Sequence, residues 1–302
     1  MTGEVTNGHV LKSKLCAIVV TYNPKGELLD NIAAIRSQTG QVVIVDNGSR
    51  IEGVSLVEEA RSKSDCEAIL NGSNLGIAKA LNIGIEYAAS RGYEKVLFFD
   101  QDSSVLDANY VTSMLSAYEE LGRSRKVAIV CPRYRDRLSS ADLRMAKDRH
   151  GNLLTAMTSG SLVPISIFAE LGPHDEKLYM DYVDVELSLR CRRAGYSIVE
   201  APAAILLHSL GSRTEHTVLG HTFSTTNHDA NRRYYITRNR VLLMREYWDD
   251  GEWFVREMRA MVLEFFKIVL VETNKLEKIK NVVLGIADAC RNRTGERVGG
   301  ER

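Results

Sequence analysis

Over the first hundred residues, continuous apolar runs alternate with amphipathic segments. The apolar runs predict strands within LCAIVVTYNP, QVVIVDNGS, CEAILNG and KVLFFDQD. The intervening segments have helical spacing and predict helices within LLDNIAAIRSQ, GVSLVEEARSK and NLGIAKALNIGIEYAASRG. Strands that are apolar throughout and alternate with amphipathic helices are typical of parallel sheets. The pattern therefore predicts an α/β fold with a mostly parallel sheet flanked by helices.

The pattern changes after Pro132. The charged stretch 133–152 has little periodicity and predicts a loop or an insertion. LLTAMTSGSLVPISIFAELG then predicts a strand, a turn and a short helix. Residues 180–196 predict a helix with acidic residues in its first turn and basic residues near its end, which suits the helix dipole. SIVEAPAAILLHSLG predicts a late strand ending at His208, and the chain from Asn231 onward is mostly helical in pattern.

Composition indicates an ordinary globular protein. Of 302 residues, 44% are hydrophobic and 26% are charged, with 39 basic and 39 acidic side chains. This balance gives no general attraction to nucleic acid, so an anionic ligand must be held by local groups. We expect a flexible N-terminus over 1–13, an α/β domain over 14–245, and a helical extension with a polar tail over 246–302.

Cysteine usage and targeting signals predict a cytoplasmic protein. The five cysteines are scattered without a C-x-x-C spacing, which is typical of reduced packing residues. The first dozen residues lack the apolar core of a secretory signal, and no apolar run approaches the ~18–20 residues that span a bilayer. A peripheral position on the inner face of the plasma membrane is compatible with this pattern.

Polar side chains follow three of the predicted strands at their carboxyl ends. Thr21 and Tyr22 end the first strand, Asp46 the second, and Asp100 and Asp102 the fourth. Open parallel sheets bind ligands beyond these ends of the strands. We therefore expect these side chains to share one crevice.

The sequence Asp100-Gln101-Asp102 places two carboxylates directly after an apolar strand, where they are costly unless a cation lies nearby. Two carboxylates at alternate positions can supply oxygen ligands to Mg²⁺ or Mn²⁺. Two other interpretations stay open. One is an aspartate that caps the next turn. The other is the nucleophile of a haloacid-dehalogenase-like phosphatase, although that fold normally opens with its D-x-D motif.

Asp184 lies near the start of the helix predicted over 180–196, where the helix dipole keeps a carboxylate ionised. There it could serve as a general base. In the structural alternative, Asp181 is the helix N-cap and Asp184 a first-turn charge. Glu186 then forms an exposed i,i+4 pair with Arg190.

Two further features carry less specific signals. His208 follows an apolar strand, where a histidine is more often packed or hydrogen-bonded than a ligand. It becomes a candidate metal ligand if its strand neighbours the one carrying Asp102. The segment 230–243 mixes four arginines with two tyrosines, which suits either an anion-binding surface or a solvated helical face.

Taken together, these stretches resemble a known family. AIVVTYNP, VIVDNGS, NLGIAKALNIGI, FFDQDS, TSGS, MDYVDVELSLRCRRAGY and LLHSLG follow in the order found in inverting glycosyltransferases of family two, with the Rossmann-like GT-A fold. Within that family the chain looks most like bacterial dTDP-rhamnosyltransferases of cell-surface polysaccharide synthesis. The resemblance covers roughly residues 14–245.

The resemblance implies a role for each candidate residue. Asp102 would hold a divalent metal, with Asp100 contacting the ribose or the metal's shell and His208 as a further metal ligand. Asp184 falls on the catalytic-base position, although Val183 and Glu186 depart from the family's usual Glu-Asp-x-Asp pattern. The donor-binding residues implied are Thr21, Tyr22, Asp46, Asn74, Gly76, Asp100 and Gln101.

The expected function is metal-dependent, inverting transfer of L-rhamnose from dTDP-L-rhamnose to a growing, lipid-linked glycan such as O-antigen, with Mg²⁺ or Mn²⁺ as cofactor. Relatives that use UDP-galactofuranose or UDP-glucose are the first alternative. A D-x-D phosphatase and a non-catalytic sugar-nucleotide-binding protein are more remote. The helical segment 252–286 suits peripheral membrane contact, a homodimer, or packing on the catalytic domain.

Overall fold

The computed structural model describes residues 13–105, 107–137, 141–208, 214–218 and 220–297. The flexible N-terminus predicted over 1–13 lies, up to residue 12, outside this part of the chain. The strands are β1 Leu15–Thr21, β2 Gln41–Asp46, β3 Glu67–Leu70, β4 Lys95–Asp100, β5 Ser104–Val105, β6 Val127–Asp136, β7 Leu162–Pro164, β8 Ser197–His208, β9 Thr214–Val218 and β10 His221–Thr225. The helices are α1 Glu27–Arg36, α2 Ile51–Ser64, α3 Ile77–Ser90, α4 Tyr110–Gly122, α5 Ile165–Leu171, α6 Val183–Arg193, α7 Ala230–Glu246, α8 Gly251–Leu270 and α9 Lys275–Cys290, with a short 3₁₀ helix at Glu176–Leu178.

Strands β1 to β8 form one sheet in the order β3-β2-β1-β4-β7-β6-β8-β5. The β3–β2, β2–β1, β1–β4 and β6–β8 pairs are parallel, while β7 and β5 pair antiparallel with their neighbours. All seven residues of β1 are buried, as expected of a central strand covered on both faces. The predicted α/β fold with a mostly parallel sheet is confirmed.

The chain divides into two compact units. The first contains the described residues within 1–175 and 184–209, including the eight-stranded sheet. The second contains those within 176–183 and 210–302, including α7, α8, α9 and the β9–β10 hairpin. The domain boundary predicted between 245 and 246 stays a prediction.

Two local predictions are corrected. The stretch 133–152 is not entirely a loop, because β6 continues to Asp136. A register shift after Pro132 allows Arg133 to pair with Ile205, so the charged residues extend an otherwise apolar strand. In the following segment the strand β7 comes after the Thr-Ser-Gly-Ser turn, not before it.

Candidate active site

A buried pair links the ends of β1 and β2. Thr21 and Asp46 are partners in the parallel register, and each is only 1% exposed. Asp46 Oδ1 accepts from Thr21 Oγ1 at 2.9 Å, and Oδ2 accepts from the backbone N–H groups of Gly48 (3.2 Å) and Ser49 (2.9 Å). The Ser49 hydroxyl also donates to Asp46. One carboxylate therefore fixes both the strand end and the turn that follows it.

An asparagine pair holds this turn to the loop before α3. Asn47 Nδ2 donates to Asn74 Oδ1 at 3.0 Å, and Asn47 Oδ1 accepts from the backbone N–H of Leu75 at 3.0 Å. Asn74 Oδ1 also accepts from the N–H of Gly76 at 2.9 Å. Gly76 has φ of 83°, a conformation that glycine adopts without steric cost. The predicted residues Asp46, Asn74 and Gly76 are thus brought together.

Gln101 joins the end of β4 to the end of β1. Its Oε1 accepts from the Tyr22 N–H at 2.8 Å, and its Nε2 donates to the Tyr22 carbonyl at 3.3 Å. Asn31 on α1 donates to the Gln101 carbonyl at 3.2 Å, and the Asp100 N–H donates to Ser159 Oγ at 3.2 Å. The backbone of the D-x-D sequence is therefore held on both sides.

The Asp102 backbone is fixed by Arg137, which donates to its carbonyl oxygen at 2.8 Å and to Ser104 Oγ at 2.6 Å. The other guanidinium nitrogen of Arg137 pairs with Glu27 at 3.3 Å. Within the described part of the chain, no Arg or Lys forms an ion pair with the Asp102 carboxylate itself. The described residues also contain no cluster of three or more His, Cys, Asp or Glu side chains that could hold a metal ion.

The backbone of His208 lies close to the D-x-D segment in the sheet. Strand β5 pairs antiparallel with β8, and Ser104, two residues after Asp102, is opposite Leu207. His208 ends β8 and pairs with Asp136 on its other side. Strand β8 does not neighbour β4, the strand that leads into Asp102; it neighbours β5, which begins two residues after Asp102. The His208 side chain lies outside the described part of the structure.

Asp184 lies half-buried in the first turn of α6. Its Oδ1 accepts from the Val185 N–H at 2.8 Å. The side chain borders a cavity of about 10 Å³, close to the volume one water needs. Thr158, in the turn whose Ser159 binds the Asp100 backbone, also borders this cavity. The same turn therefore adjoins Asp184 and supports β4.

The structural alternative for this helix is partly corrected. Helix α6 begins at Val183, so Asp181 is not the residue that precedes its first turn. The predicted Glu186–Arg190 pair is present at 2.8 Å. It is not exposed, because Glu186 is buried.

Comparison with known proteins identifies the family. A family model described as glycosyl transferase family 2 matches residues 16–167. The dTDP-rhamnosyl transferase RfbF of Shigella flexneri is 30% identical over 301 residues, which cover 94% of this chain and 98% of that protein. The chain belongs to glycosyl transferase family 2. The galactofuranosyltransferase GlfT1 of Mycobacterium tuberculosis is 26% identical over 246 residues, covering 74% of this chain and 80% of that protein.

Solved structures show that this glycosyltransferase has the GT-A fold. The mannosyltransferase PcManGT from Pyrobaculum calidifontis, in complex with GDP-Man and Mn²⁺, has a TM-score of 0.55 at 17% identity and covers 96% of this chain and 76% of its own. S. aureus TarS 1–349 has a TM-score of 0.53 at 13% identity, covering 90% of this chain and 70% of its own. Because the chain belongs to glycosyl transferase family 2, the phosphatase and the non-catalytic interpretations are wrong.

Sequence reasoning missed several residues that support the site of this glycosyltransferase. Asn31, Arg137 and Ser159 hold the D-x-D backbone but belong to elements far from it in sequence. Each is a polar residue in a stretch of sequence that is equally typical of the protein surface. Only the register of the folded sheet brings them to the end of β4.

A larger groove lies elsewhere on the first unit. It has a volume of about 810 Å³ and is lined by Val127 at the start of β6, by Pro164 and by Tyr196. This is the amino end of the parallel strands, whereas ligands in such sheets bind at the carboxyl ends. Because of this position, the groove is not the candidate active site, although it is large.

Proposed function

We propose that this glycosyltransferase transfers L-rhamnose from dTDP-L-rhamnose to a hydroxyl group of a growing glycan, such as O-antigen, with inversion at the anomeric carbon. The observation that carries the donor assignment is the likeness to a dTDP-rhamnosyl transferase along 94% of the chain. The similarity to the galactofuranosyltransferase GlfT1 covers 74% of this chain and makes UDP-galactofuranose the second candidate donor. UDP-glucose is a third, less supported candidate.

The donor pocket that we propose lies at the carboxyl ends of β1, β2 and β4. Thr21 and Asp46 would line the base and ribose site together with Asn74, since their hydrogen bonds fix the turns around it. Gly76 would permit close approach of the donor. Tyr22 is half-exposed and Gln101 fixes it, so this pair would form one wall.

The D-x-D carboxylates fit a hard divalent cation. Asp100 and Asp102 offer oxygen ligands at a partly exposed strand end, and Mg²⁺ or Mn²⁺ commonly binds to one or two protein carboxylates and to substrate phosphates. When bound, such an ion would offset the charge that grows on the leaving diphosphate. His208 would add a nitrogen ligand, which favours Mn²⁺. This arrangement needs no third carboxylate.

Asp184 would act as the general base. It removes the proton from the acceptor hydroxyl as that oxygen bonds to the anomeric carbon and the bond to the diphosphate oxygen breaks. The products are the elongated glycan, dTDP and a protonated Asp184, which returns its proton to water. One displacement of this kind inverts the anomeric centre without a covalent enzyme intermediate.

The test measures dTDP or UDP release across a panel of sugar nucleotides, with octyl glycosides as acceptors, in the presence of Mg²⁺, Mn²⁺ or EDTA. We expect metal-dependent turnover of dTDP-L-rhamnose. Asp184→Asn should lower kcat by about 10²–10⁴-fold, the usual contribution of a general base. Asp142→Asn, a surface carboxylate paired with Arg135, is the control and should retain activity. Turnover of another donor would remove the rhamnose assignment, and full activity of Asp184→Asn would remove the base.

We also infer that α8 contacts an anionic membrane surface, where a lipid-linked acceptor would be found. Among the described residues, no helix is both long enough and apolar enough to cross a membrane. The C-terminal half of α8 exposes Val262, Leu263, Phe265, Phe266, Val269 and Leu270. Arg256 and Arg259 are exposed on the same helix, as is Glu252. Glu257 and Glu264 instead bind the buried Arg240, so the exposed charge beside the apolar residues is mainly positive.

Vesicle sedimentation tests this contact. We expect binding to phosphatidylglycerol-containing vesicles and weaker binding to pure phosphatidylcholine. Phe266→Ser should weaken binding by about tenfold or more, because burying such a side chain contributes ~1.5–3 kcal/mol. Ile51→Ser, at another exposed apolar residue but in the first unit, is the control. A concentration-dependent dimer that Phe266→Ser abolishes, without vesicle binding, would instead make this face a subunit interface.

A further inference from the structure

The segment 178–182, which leads directly into α6, has an unusual backbone. Tyr179, Asp181 and Tyr182 have φ values of 64°, 57° and 65°, so three non-glycine residues adopt the left-handed region within four positions. Such conformations cost free energy and persist only where the surrounding structure fixes them. Helix α6 begins at the next residue, so only Val183 separates this segment from Asp184 in the chain.

Asn239 on α7 fixes the backbone of this segment. The residue is fully buried, and its Nδ2 donates to the carbonyl oxygens of Leu178 (2.9 Å), Met180 (2.7 Å) and Asp181 (2.9 Å). Arg238 adds a hydrogen bond from Nη2 to the Leu178 carbonyl at 3.0 Å. Its Nε donates to Asn239 Oδ1 at 2.9 Å, which holds the amide in this orientation.

Two further arginines of α7 fix the side chains of the segment. Arg232 Nε and Nη2 donate to the Asp181 carboxylate at 3.2 and 3.0 Å. Arg240 donates to the Tyr182 hydroxyl, which in turn donates to Glu257 at 2.7 Å. We call Arg232, Arg238, Asn239 and Arg240 the α7 clamp.

The α7 clamp corrects both interpretations of 230–243. Arg238 and Arg240 are buried, so they do not form a solvated face. They bind carbonyl oxygens and carboxylates of their own unit, so these two arginines do not form an open anion-binding surface.

We propose that the α7 clamp positions Asp184 for the transfer reaction. This inference rests on the general-base role proposed above. The clamp residues are positioning residues, since they act on 178–182 and reach Asp184 only through the backbone. Releasing the segment would displace the base while leaving the donor pocket at the ends of β1, β2 and β4 unchanged.

Asn239→Asp is the main test, because it keeps the shape of the side chain but places an acceptor opposite three carbonyl oxygens. We expect kcat for dTDP release from dTDP-L-rhamnose, with an octyl rhamnoside acceptor, to fall about 100-fold, the cost of a misplaced catalytic group. The donor KM should change by less than about twofold. In the Asp184→Asn background the same substitution should cause no further loss, because both changes act on one residue.

A matched pair of variants keeps the test valid if Asn239→Asp folds poorly. The Arg232 side chain is 44% exposed, so Arg232→Gln should fold normally and lower kcat. Arg245→Gln, at another exposed arginine of the same helix that donates to the Ala289 carbonyl instead of to 178–182, should leave kcat unchanged. If Asp184→Asn is inactive but Asn239→Asp is fully active, the proposed role of the clamp is overturned and the general base is not. Two other results would also overturn the clamp alone. One is that the kcat losses of Asp184→Asn and Asn239→Asp multiply in the double variant, and the other is that the two arginine substitutions change kcat equally. A fully active Asp184→Asn enzyme overturns the base and the clamp together.

Discussion

At the residue scale, Asp46 and Asp102 are two carboxylates of the candidate active site with opposite environments. Asp46 is buried and accepts hydrogen bonds from Thr21, Gly48 and Ser49. Asp102 is partly exposed, and only its carbonyl oxygen is bound by Arg137. Asp46 therefore stabilises the turn that borders the proposed donor pocket, and the Asp102 carboxylate is the one available for a cation.

Asparagine substitutions separate these two contributions. Asp46→Asn should lower the free energy of unfolding by about 1–3 kcal/mol, because the amide NH₂ faces buried donors that then lack an acceptor. Thr21→Val should cost about 1 kcal/mol, since it removes one of these hydrogen bonds. Asp102→Asn should change stability by less than about 0.5 kcal/mol but weaken metal-dependent donor binding. Urea unfolding and calorimetric titration of dTDP with Mn²⁺ measure the two effects. Equal stability losses in Asp46→Asn and Asp102→Asn would contradict this division.

At the element scale, the turn after β2 and the loop before α3 pack closely at Gly48. A Cβ at this position would lie 2.4 Å from the Ser73 carbonyl carbon and 2.6 Å from the Asn74 nitrogen. Gly48→Ala should therefore separate the turn from the loop and weaken donor binding about tenfold or more, since backbone atoms must move. Gly72→Ala is the control, because its φ is also positive but nothing lies within 4 Å. If Gly48→Ala and Gly72→Ala lose the same donor affinity, backbone strain at positive φ, and not the close contact at Gly48, causes the loss.

The elements that the sequence predicted are those that carry their own periodicity. The apolar runs at β1, β2 and β4 and the polar residues after them needed no knowledge of distant contacts, and their placement in one sheet is confirmed. Helix α7 was misinterpreted because its arginines are matched to acidic residues and carbonyls on other elements, such as Glu264 and Leu178. The three left-handed residues Tyr179, Asp181 and Tyr182 have no glycine near them to signal this conformation, so only the folded backbone shows it.

At the scale of the whole molecule, the burial of the cysteines shows how completely the first unit is packed. Cys16, Cys66, Cys131 and Cys191 are buried in that unit, while Cys290 is exposed in the second. Burial raises the pKa of the Cys16, Cys131 and Cys191 thiols to about 12 and that of Cys66 to about 11. Because the thiolate is the reactive form, these four thiols stay protonated as well as shielded between pH 7 and pH 9.

We therefore expect the native protein to react with one equivalent of a disulfide reagent at pH 8, and the Cys290→Ser variant with none. Unfolding in urea should expose the other four thiols. At pH 9 the four buried thiols should still be largely protonated in the native protein, since a pKa of about 12 leaves about 0.1% thiolate and a pKa of about 11 leaves about 1%. If the first unit unfolds cooperatively, the four buried thiols should appear together along the urea transition. A buried thiol that reacts with the reagent in the native state at pH 8 would show that its part of the first unit opens locally, because the closed form holds that thiol protonated and shielded.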